Sequence, residues 1–384
     1  MRFLKQWSHV QLASVCTKIG SGATPRGGDS VYVDIGTALI RSQNVYNGKF
    51  SESGLAHITE THAEQLSGVA VESRDVLLNI TGDSVARCCQ VPDSLLPARV
   101  NQHVAIIRPD QSQLLPEFLC YYFVSPLMQK YLLSRAGSGG TRNALTKAMI
   151  ESLEAPCPDL DTQQHIVDLL KSYDDLIENN RRRIQLLEQS ARLLYKEWFI
   201  SLRFPGHEHV KINNGVPEGW ERTTLGEFAP LKYGKALKAD SRVFGQVVVY
   251  GSSGIVGHHD KSLISGPAII LGRKGNVGSV YWSPGDCWPI DTVYYIKREP
   301  ALRYLFYALL NMPFISTDVA VPGLNRDFAH SLKLLLPSNL LLGLFEEIVE
   351  PLHRQIETLE KQITSLAKAR DILLPRLMSG EVVV

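Results

Sequence analysis

Residues 166–194, IVDLLKSYDDLIENNRRRIQLLEQSARLL, and residues 345–373, FEEIVEPLHRQIETLEKQITSLAKARDIL, carry the same pattern of apolar side chains. In both stretches the apolar positions follow alternating steps of four and three residues, and matching positions differ by 179 in number. Apolar residues at this spacing over about four heptads are typical of a coiled-coil seam. We expect two long helices that pair as an antiparallel coiled coil, with seam residues Ile177, Asn180, Ile184, Leu187 and Leu194 in the first and Ile356, Leu359, Ile363, Leu366 and Leu373 in the second. The alternative is that each helix packs only on its own globular domain.

Each predicted seam is interrupted once by a polar residue, Asn180 in the first helix and Arg370 in the second. A polar seam residue usually fixes the register or the choice of partner at a cost in stability. Pro351 lies inside the second pattern, and proline removes a helical hydrogen bond, so we expect the second helix to begin near it.

The rest of the chain is also duplicated, as one long repeat rather than a short-period array. Trp7 and Leu12 recur at the same separation as Trp220 and Leu225, and a Gly-rich basic loop follows each pair. Further matches join residues 75–85 with 268–277, residues 101–108 with 290–297, residues 118–121 with 304–307, and Asn143 with Asn325. The first match joins two short β-rich runs that end in a Gly turn, and the third match is typical of a helix.

This order predicts an α+β protein with two tandem α/β domains, each followed by a long helix. A segment rich in Gly, Pro, Asn and His separates the first helix from the second domain. The predicted parts are residues 1–158 (first domain), 159–203 (first helix), 204–219 (linker), 220–337 (second domain) and 338–384 (second helix and tail).

Composition excludes several classes of protein. No apolar run approaches the ~20 residues of a membrane helix, and the first ten residues lack the apolar core of a signal peptide, so we expect a cytoplasmic protein. The six cysteines form no C-x-x-C pair, which favours reduced thiols over a zinc site or disulfides. Residues 1–158 and 204–337, the two domains with the linker, carry 28 Lys and Arg against 24 Asp and Glu (+4), and residues 159–203 and 338–384 carry 12 against 15 (−3). That small asymmetry alone does not identify a nucleic-acid-binding protein.

The chain resembles the specificity (S) subunits of type I restriction–modification systems over essentially its whole length. The resemblance rests on the doubled order of domain and helix and on short motifs that are specific only together. They are LIRSQNV (residues 39–45), IENNRRRI (177–184), YGSSGI (250–255), LGRKGNVG (271–278) and LLPRLMSGE (373–381).

The resemblance implies two target recognition domains that each read one half of a split DNA site. It implies long helices that set the spacing of the two halves and bind two modification subunits. Those partners would carry S-adenosylmethionine, and restriction subunits would use ATP and Mg²⁺. This chain would have no cofactor, metal or catalytic residue of its own. Consistent with that, the sequence contains neither N-P-P-[YF] nor the phosphate-binding G-x-x-x-x-G-K-[ST].

Candidate DNA-contacting residues are polar and cationic side chains on the predicted loops between strands. Lys and Arg suit phosphates, Arg suits guanine, and Asn or Gln suits adenine. In the first domain the candidates are Arg26, Arg41, Gln43, Asn44, Thr81, Asp83, Arg87, Asn101, Gln102, Arg142 and Asn143. In the second domain they are Lys235, Ser252, Ser253, Arg273, Lys274, Asn276, Asp291, Thr292, Asn325 and Arg326.

Two other functions remain open at this point. The chain could be a nuclease or methyltransferase in its own right, which activity of the purified chain would reveal. It could instead be a non-catalytic coiled-coil scaffold whose domains bind proteins, in which case selection of bound oligonucleotides would return no consensus.

Overall fold

The computed structural model describes residues 7–137, 143–297, 302–315 and 323–382. The chain divides into two compact units. Unit 1 consists of residues 1–180 and 361–384, and unit 2 consists of residues 181–360. The candidate Arg142 lies outside the described residues.

Unit 1 contains a globular head built mainly from short strands. Its strands are β1 (His9–Gln11), β2 (Cys16–Ser21), β3 (Tyr32–Val33), β4 (Thr37–Ile40), β5 (Val45–Tyr46), β6 (Lys49–Phe50), β7 (Ala56–Ile58), β8 (Ala70–Val71), β9 (Val76–Asn79), β10 (Cys88–Gln90), β11 (Ala98–Val100), β12 (Val104–Pro109) and β13 (Glu154–Pro156). Its helices are α1 (Leu12–Val15), α2 (Glu60–Gln65), α3 (Pro116–Val124), α4 (Pro126–Gly137), α5 (Lys147–Glu151) and the first part of α6 (Leu160–Tyr195).

Two sheets form the body of this head, a four-stranded sheet in the order β10-β9-β12-β2 and a five-stranded sheet in the order β3-β7-β4-β11-β8. Strand β9 is fully buried, because alternate side chains enter different cores. Val76 and Leu78 pack in one apolar cluster with α3, and Leu77 packs in a second cluster between the sheets. This two-sided burial explains the unbroken apolar run of the strand.

Unit 2 repeats this plan with fewer strands. Its strands are β14 (Ile212–Asn213), β15 (Val216–Pro217), β16 (Glu221–Thr224), β17 (Lys232–Tyr233), β18 (Val247–Gly251), β19 (Gly254–His259), β20 (Ala268–Gly272), β21 (Val280–Ser283), β22 (Cys287–Pro289), β23 (Val293–Ile296) and β24 (Lys333–Leu336). Its helices are α7 (Leu225–Phe228), α8 (Leu302–Leu310), α9 (Arg326–Ser331) and the first part of α10 (Asn339–Met378). The sheets have the orders β17-β23-β20-β21 and β19-β18-β22.

The first and last strands of each head pair with each other. Strand β1 is antiparallel to β13, with His9 opposite Pro156, and β16 is antiparallel to β24, with Glu221 opposite Leu336. The main-chain N–H of Leu12 donates to Leu153 O at 2.9 Å, and that of Leu225 donates to Leu332 O at 2.9 Å. The chain therefore enters and leaves each head at the same edge.

These main-chain hydrogen bonds correct one part of the predicted repeat. Because Leu153 matches Leu332, the residue equivalent to Asn325 is Thr146, and the predicted match of Asn143 with Asn325 is wrong by three residues. Both Thr146 and Asn325 cap the N-terminus of a short helix by accepting main-chain N–H bonds. The offset of 179 residues found in the predicted seams thus begins before the long helices.

The long helices contribute to both units, and their contacts run antiparallel within unit 1. Asn180 Nδ2 donates to Gln362 Oε1 at 3.3 Å, and Arg370 Nη1 donates to Asp174 Oδ1 at 2.5 Å. The two polar seam residues therefore pair with polar partners across the helices. In each helix every predicted seam residue is buried or half-buried. Pairing along the full length of both helices stays a prediction.

Helix α10 begins at Asn339, so the predicted start near Pro351 is wrong. Phe345 and Val349, before the proline, are fully buried in the core of unit 2, while Pro351 itself faces solvent. Burying each large apolar side chain contributes about 1.5–3 kcal/mol, which offsets the roughly 3 kcal/mol cost of an internal proline. Among the described residues, the helices offer no apolar stretch that could span a membrane.

Candidate nucleic-acid interface

In both heads, the same main-chain hydrogen bonds gather the candidate loops at one end of the central strands. In unit 1, Gly22 N donates to Val104 O at 3.0 Å and Asn101 N donates to Ile40 O at 3.0 Å. In unit 2 the corresponding bonds run from Gly234 N to Val293 O at 3.2 Å and from Ile290 N to Tyr250 O at 2.9 Å. The match of residues 101–108 with 290–297 is thereby confirmed residue by residue.

A chain of polar side chains crosses the loops of unit 1. His103 Nδ1 lies 2.6 Å from Thr81 Oγ1, and His103 Nε2 lies 3.2 Å from the amide nitrogen of Gln102. Because that amide can only donate, Nε2 accepts and Nδ1 carries the proton given to Thr81. Thr24 Oγ1 donates to the Gln102 carbonyl oxygen. Thr81 is half-buried and Gln102 and His103 are exposed, so three loops present their hydrogen-bonding groups together.

A second group of unit 1 candidates surrounds the loop after β4. The guanidinium of Arg41 donates through Nη2 to Gly54 O at 2.7 Å, and Gln43 Nε2 donates to the same oxygen at 3.0 Å. The Arg41 guanidinium also lies 5.7 Å from the centre of the Tyr32 ring. Both side chains remain partly accessible and keep donors for a ligand.

Two unit 1 residues that were predicted to contact bases are buried and form hydrogen bonds within their own loops. Asn44 is fully buried; its Oδ1 accepts from Arg41 N at 3.0 Å and its Nδ2 donates to Ser51 O at 2.9 Å. Asn101 is 7% exposed, and its Oδ1 accepts from His103 N at 3.1 Å. Burial and internal hydrogen bonds hold these two amides in their loops, and contact of either amide with a base stays a prediction.

The remaining unit 1 candidates are accessible. The Arg87 guanidinium lies 4.9 Å from the centre of the Tyr46 ring, which is 44% exposed. Arg26, Asp83 and Asn143 are exposed. Contact of these residues with DNA stays a prediction.

In unit 2, a concave cationic cleft forms where the loop after β20 meets the start of α9. The cleft has a volume of about 360 Å³, and its lining includes Tyr233, Arg273, Lys274, Tyr294, Leu324 and Arg326. Arg273 Nη1 donates to Asp291 O at 3.2 Å. The side chain of Lys274 is exposed, and its main-chain N–H donates to Thr292 O at 3.1 Å. Two guanidinium groups and an ammonium group therefore line one cleft.

The other unit 2 candidates border this cleft or the loops beside it. Thr292 Oγ1 accepts from Ser252 N at 3.4 Å, and both residues are half-buried. Lys235, Ser253, Asn276 and Asp291 are exposed. Asn325 has a capping role, because its Oδ1 accepts from the N–H groups of Asp327 at 2.8 Å and Phe328 at 3.0 Å.

His103 and Tyr233 are absent from the predicted set, yet both are central in the structure. His103 joins Thr81 to Gln102, and the Tyr233 ring centre lies 5.0 Å from the guanidinium carbon of Arg273 and 5.1 Å from that of Arg326. The sequence carries a signal for Tyr233, since it interrupts a basic stretch, KYGKALK at residues 232–238. An aromatic residue among cations is typical of nucleic-acid-binding surfaces.

Among the described residues, no group of His, Cys, Asp and Glu side chains is arranged to hold a metal ion. The six cysteines are free, and burial raises the pKa of the Cys16 thiol to about 12. His259 is buried and its Nδ1 accepts from Val243 N at 3.1 Å.

Comparisons with known proteins agree on one family. The family model described as the type I restriction modification DNA specificity domain matches residues 5–189 and 217–368. The specificity subunit of the type I restriction enzyme MjaIX from Methanocaldococcus jannaschii is 26% identical over 98% of this chain and 94% of its own length. The specificity subunit of HindI from Haemophilus influenzae is 22% identical over 90% and 94%. The crystal structure of an S subunit from M. genitalium shares the fold, with a TM-score of 0.64 at 18% identity over 98% of this chain and 97% of that one.

Proposed function

The chain belongs to the family of type I restriction–modification DNA specificity subunits, and on that premise we propose that each unit reads one half of a split DNA site. The repeated loop frame supports this proposal. The frame is built from the same main-chain bonds in both units, while the side chains it presents differ. A constant frame with different reading groups is suited to two half-sites of different sequence.

In this proposal, cations supply affinity and fixed polar groups supply specificity. Exposed cationic side chains, such as those of Arg26, Lys235 and Lys274, would neutralise phosphates. The Thr81–His103–Gln102 chain in unit 1 and the Arg273 loop in unit 2 offer oriented donors and acceptors to base edges. Oriented groups discriminate between bases, because a misplaced donor leaves a polar base atom unpaired.

We extend the proposal to the partners of the chain. The long helices would bind two modification subunits, which would bind S-adenosylmethionine and methylate adenine. Restriction subunits would join them and use ATP and Mg²⁺. This chain would supply recognition without catalysis or cofactors, and it would act in the cytoplasm, where host DNA is accessible.

The single observation that carries the proposal is the duplicated frame, in which Val104 and Val293 accept equivalent bonds from Gly22 and Gly234. The test is co-expression of the full chain with its cognate modification subunit, followed by sequencing of methylated bases in host DNA. We expect one methylated adenine motif made of two halves and a fixed spacer. Replacing residues 220–337 with the corresponding head of a relative should change one half only.

Two results would contradict the proposal. Turnover by the purified chain alone, with S-adenosylmethionine, ATP and Mg²⁺, would make it an enzyme in its own right. A folded complex that adds no methylated motif, together with oligonucleotide selection that returns no consensus, would make the chain a protein-binding scaffold. The matched control is the exchange of residues 7–158, which should change the other half.

A further inference from the structure

The cationic cleft of unit 2 is lined by side chains that differ from those at the equivalent described positions of unit 1, although the main-chain hydrogen bonds around it are the same. Tyr233 lies opposite Tyr294 in the pairing of β17 with β23, as Ser21 lies opposite Ala105 in the pairing of β2 with β12. Leu324 N donates to Arg273 O at 2.8 Å, as Leu145 N donates to Ile80 O at 2.8 Å. Unit 2 therefore has Tyr233, Tyr294, Arg273 and Arg326 where unit 1 has Ser21, Ala105, Ile80 and Lys147.

Arg273 is held in one orientation by three separate groups. Its guanidinium carbon lies 5.0 Å from the centre of the Tyr233 ring and 5.7 Å from that of the Tyr294 ring, and Nη1 donates to Asp291 O at 3.2 Å. Tyr294 is itself fixed, because it is 1% exposed and its hydroxyl donates to Leu324 O at 2.9 Å. The side chain of Arg273 remains half-buried, so part of the guanidinium faces the cleft.

Arg326 also packs on the Tyr233 ring, but fewer groups restrain its guanidinium than restrain that of Arg273. Its guanidinium carbon lies 5.1 Å from the ring centre, and its side chain is 42% exposed. The Nε atom is buried, has no hydrogen-bond partner in the described part of the chain, and lies 4.0 Å from Asp327 Oδ1. Its guanidinium therefore keeps donors for an anionic ligand while the ring limits its motion.

We propose that Tyr233 is a positioning residue that holds Arg273 to read the N7 and O6 atoms of a guanine in the half-site of unit 2, while Arg326 binds a neighbouring phosphate. This inference rests on the proposed function and names the base that the cleft recognises. Arginine with both donors aligned matches guanine in the major groove better than any other base. Stacking on two rings supplies that alignment, because it restrains the plane of the guanidinium before DNA arrives.

In this proposal, unit 1 recognises its half-site with side chains other than arginine and tyrosine at these positions. At the equivalent positions it has a serine, an alanine and an isoleucine, and the Nζ atom of Lys147, the residue that matches Arg326, lies 3.5 Å from Glu151 Oε1. Its polar groups are the hydroxyl, imidazole and amide of Thr81, His103 and Gln102. The guanine contact is therefore expected in the half-site of unit 2.

The test uses the complex of the full chain with its cognate modification subunit and the motif found by methylated-base sequencing. Each guanine in the unit 2 half-site is replaced in turn by 7-deazaguanine, which lacks the N7 acceptor. At one guanine we expect the affinity of the wild-type complex to fall about 10-fold, and that of Arg273→Ala to show no further loss. Tyr233→Leu should reproduce most of this insensitivity. Tyr233→Phe should retain the wild-type response, because phenylalanine keeps the aromatic ring that packs on the guanidinium of Arg273.

Arg326→Ala should behave differently from Arg273→Ala. We expect it to weaken binding to all sequences alike and to reduce the slope of log affinity against log salt by about 1. The matched control is Arg222→Ala, which removes an exposed arginine of the same unit whose guanidinium donates to Asn214 O at 2.5 Å, outside the cleft.

The outcomes separate this inference from the proposed function. A split motif in which no unit 2 guanine shows the Arg273-dependent loss would overturn the inference and leave the function intact. Equal responses of Tyr233→Leu and Tyr233→Phe would remove the positioning role of the ring. Absence of any motif from the wild-type complex would overturn both. If Tyr233→Leu fails to fold, Arg273→Lys gives the same test, since lysine keeps the charge without the bidentate donors.

Discussion

Gly22 and Gly234 occupy the same place in the two units, and neither position has room for a side chain. A Cβ atom built at Gly22 would lie 1.9 Å from Val100 O, and one built at Gly234 would lie 2.0 Å from Ile290 O. These neighbours are main chain and cannot rotate away. The close approach lets the Gly-rich loop of each head bond to the strands beneath it, as the Gly22 N to Val104 O bond does.

We predict that Gly22→Ala abolishes recognition of the unit 1 half-site and leaves the unit 2 half-site in use. The added methyl group forces the loop off its strands, with a loss of about 1–3 kcal/mol in stability typical of overpacking. Thermal denaturation and methylated-base sequencing measure the two effects. Gly20→Ala is the control, because nothing lies within 4 Å of a Cβ at Gly20. Equal behaviour of the two variants would refute the prediction.

Asp75 and Arg108 form a buried ion pair in unit 1. We predict that Asp75→Ala lowers the free energy of unfolding by about 3–5 kcal/mol. The Asp75 side chain is 0% exposed and accepts from Arg108 Nε at 2.7 Å and Nη2 at 2.8 Å. Removing the carboxylate leaves the guanidinium, only 20% exposed, without its main partner. Urea denaturation followed by hydrogen exchange in β9 and β12 measures the loss.

The matched control for that prediction is Glu72→Gln. Glu72 also pairs with Arg108 but is 64% exposed, and exposed ion pairs contribute at most about 1 kcal/mol. A loss from Glu72→Gln as large as that from Asp75→Ala would show that burial does not decide the contribution.

His353 makes unit 2 sensitive to mild acid. Burial, assisted by the positive charge of Arg303, lowers the pKa of His353 to about 4, and Nε2 lies 2.8 Å from the Tyr307 hydroxyl. The unfolded chain binds this proton near pH 6.5, so the stabilisation is complete above pH 6.5 and is lost as the pH falls toward 4. We expect a loss of about 3 kcal/mol over that interval.

The measurement for His353 is urea denaturation of unit 2 at a series of pH values, for the wild type and for His353→Gln. Glutamine keeps a hydrogen-bonding group for Tyr307 and does not titrate in this range. The wild-type stability should fall more steeply than that of the variant between pH 6.5 and 4. Parallel curves would show that carboxylates alone cause the acid sensitivity.

The contact between Asp174 and Arg370 couples the two long helices in unit 1. Asp174 also accepts from the Tyr121 hydroxyl at 2.7 Å, so the pair belongs to a small network. We predict a coupling energy of about 1 kcal/mol in a double-mutant cycle of Asp174→Ala and Arg370→Ala, reduced by high salt. The exposed pair Lys147 and Glu151 should give only a few tenths of a kcal/mol. Coupling no larger than in that pair would contradict the prediction.

Arg87 stacks on Tyr46 in unit 1, and we predict that Arg87→Ala alters recognition of the unit 1 half-site alone. The guanidinium carbon of Arg87 lies 4.9 Å from the ring centre, and both side chains remain partly exposed. If Arg87 reads a base, the variant loses about 1–3 kcal/mol at one position of the motif. Binding to oligonucleotides with single substitutions measures this, with Lys130→Ala as a control for an exposed cation of the same unit. A uniform loss over all positions would assign Arg87 to a phosphate.

The repeat and its fold were predictable because strands and helices carry periodic signals. The run around Val104 aligned correctly with that around Val293, since both strands carry buried apolar side chains on both of their faces. The family and its two DNA-recognition domains were expected from a resemblance in the doubled order of domain and helix and in several short motifs, and the family model confirms them. The predicted match of Asn143 with Asn325 was wrong, because the loops before these residues differ in length. Only main-chain hydrogen bonds reveal the correct register there.

The candidate site was less predictable than the fold, because residue type does not reveal whether a polar group is already used. Asn44 and Asn101 resemble adenine-reading amides in sequence, yet their oxygens accept bonds that shape their own loops. The imidazole of His103 is held by a hydrogen bond with Thr81, which is distant in sequence. Such side-chain pairs depend on tertiary contacts that no local pattern encodes.

The pairing of His9 with Pro156, and of Glu221 with Leu336, makes each head a cassette. Its entry and exit strands are neighbours in one ladder, roughly 5 Å apart, so both crossover points of an exchange fall at a single joint. A foreign head that preserves this joint inherits the same attachment, whatever loops it brings. Recombination can therefore generate new sequence preferences in one step, and selection on the loops of one head leaves the other head unchanged.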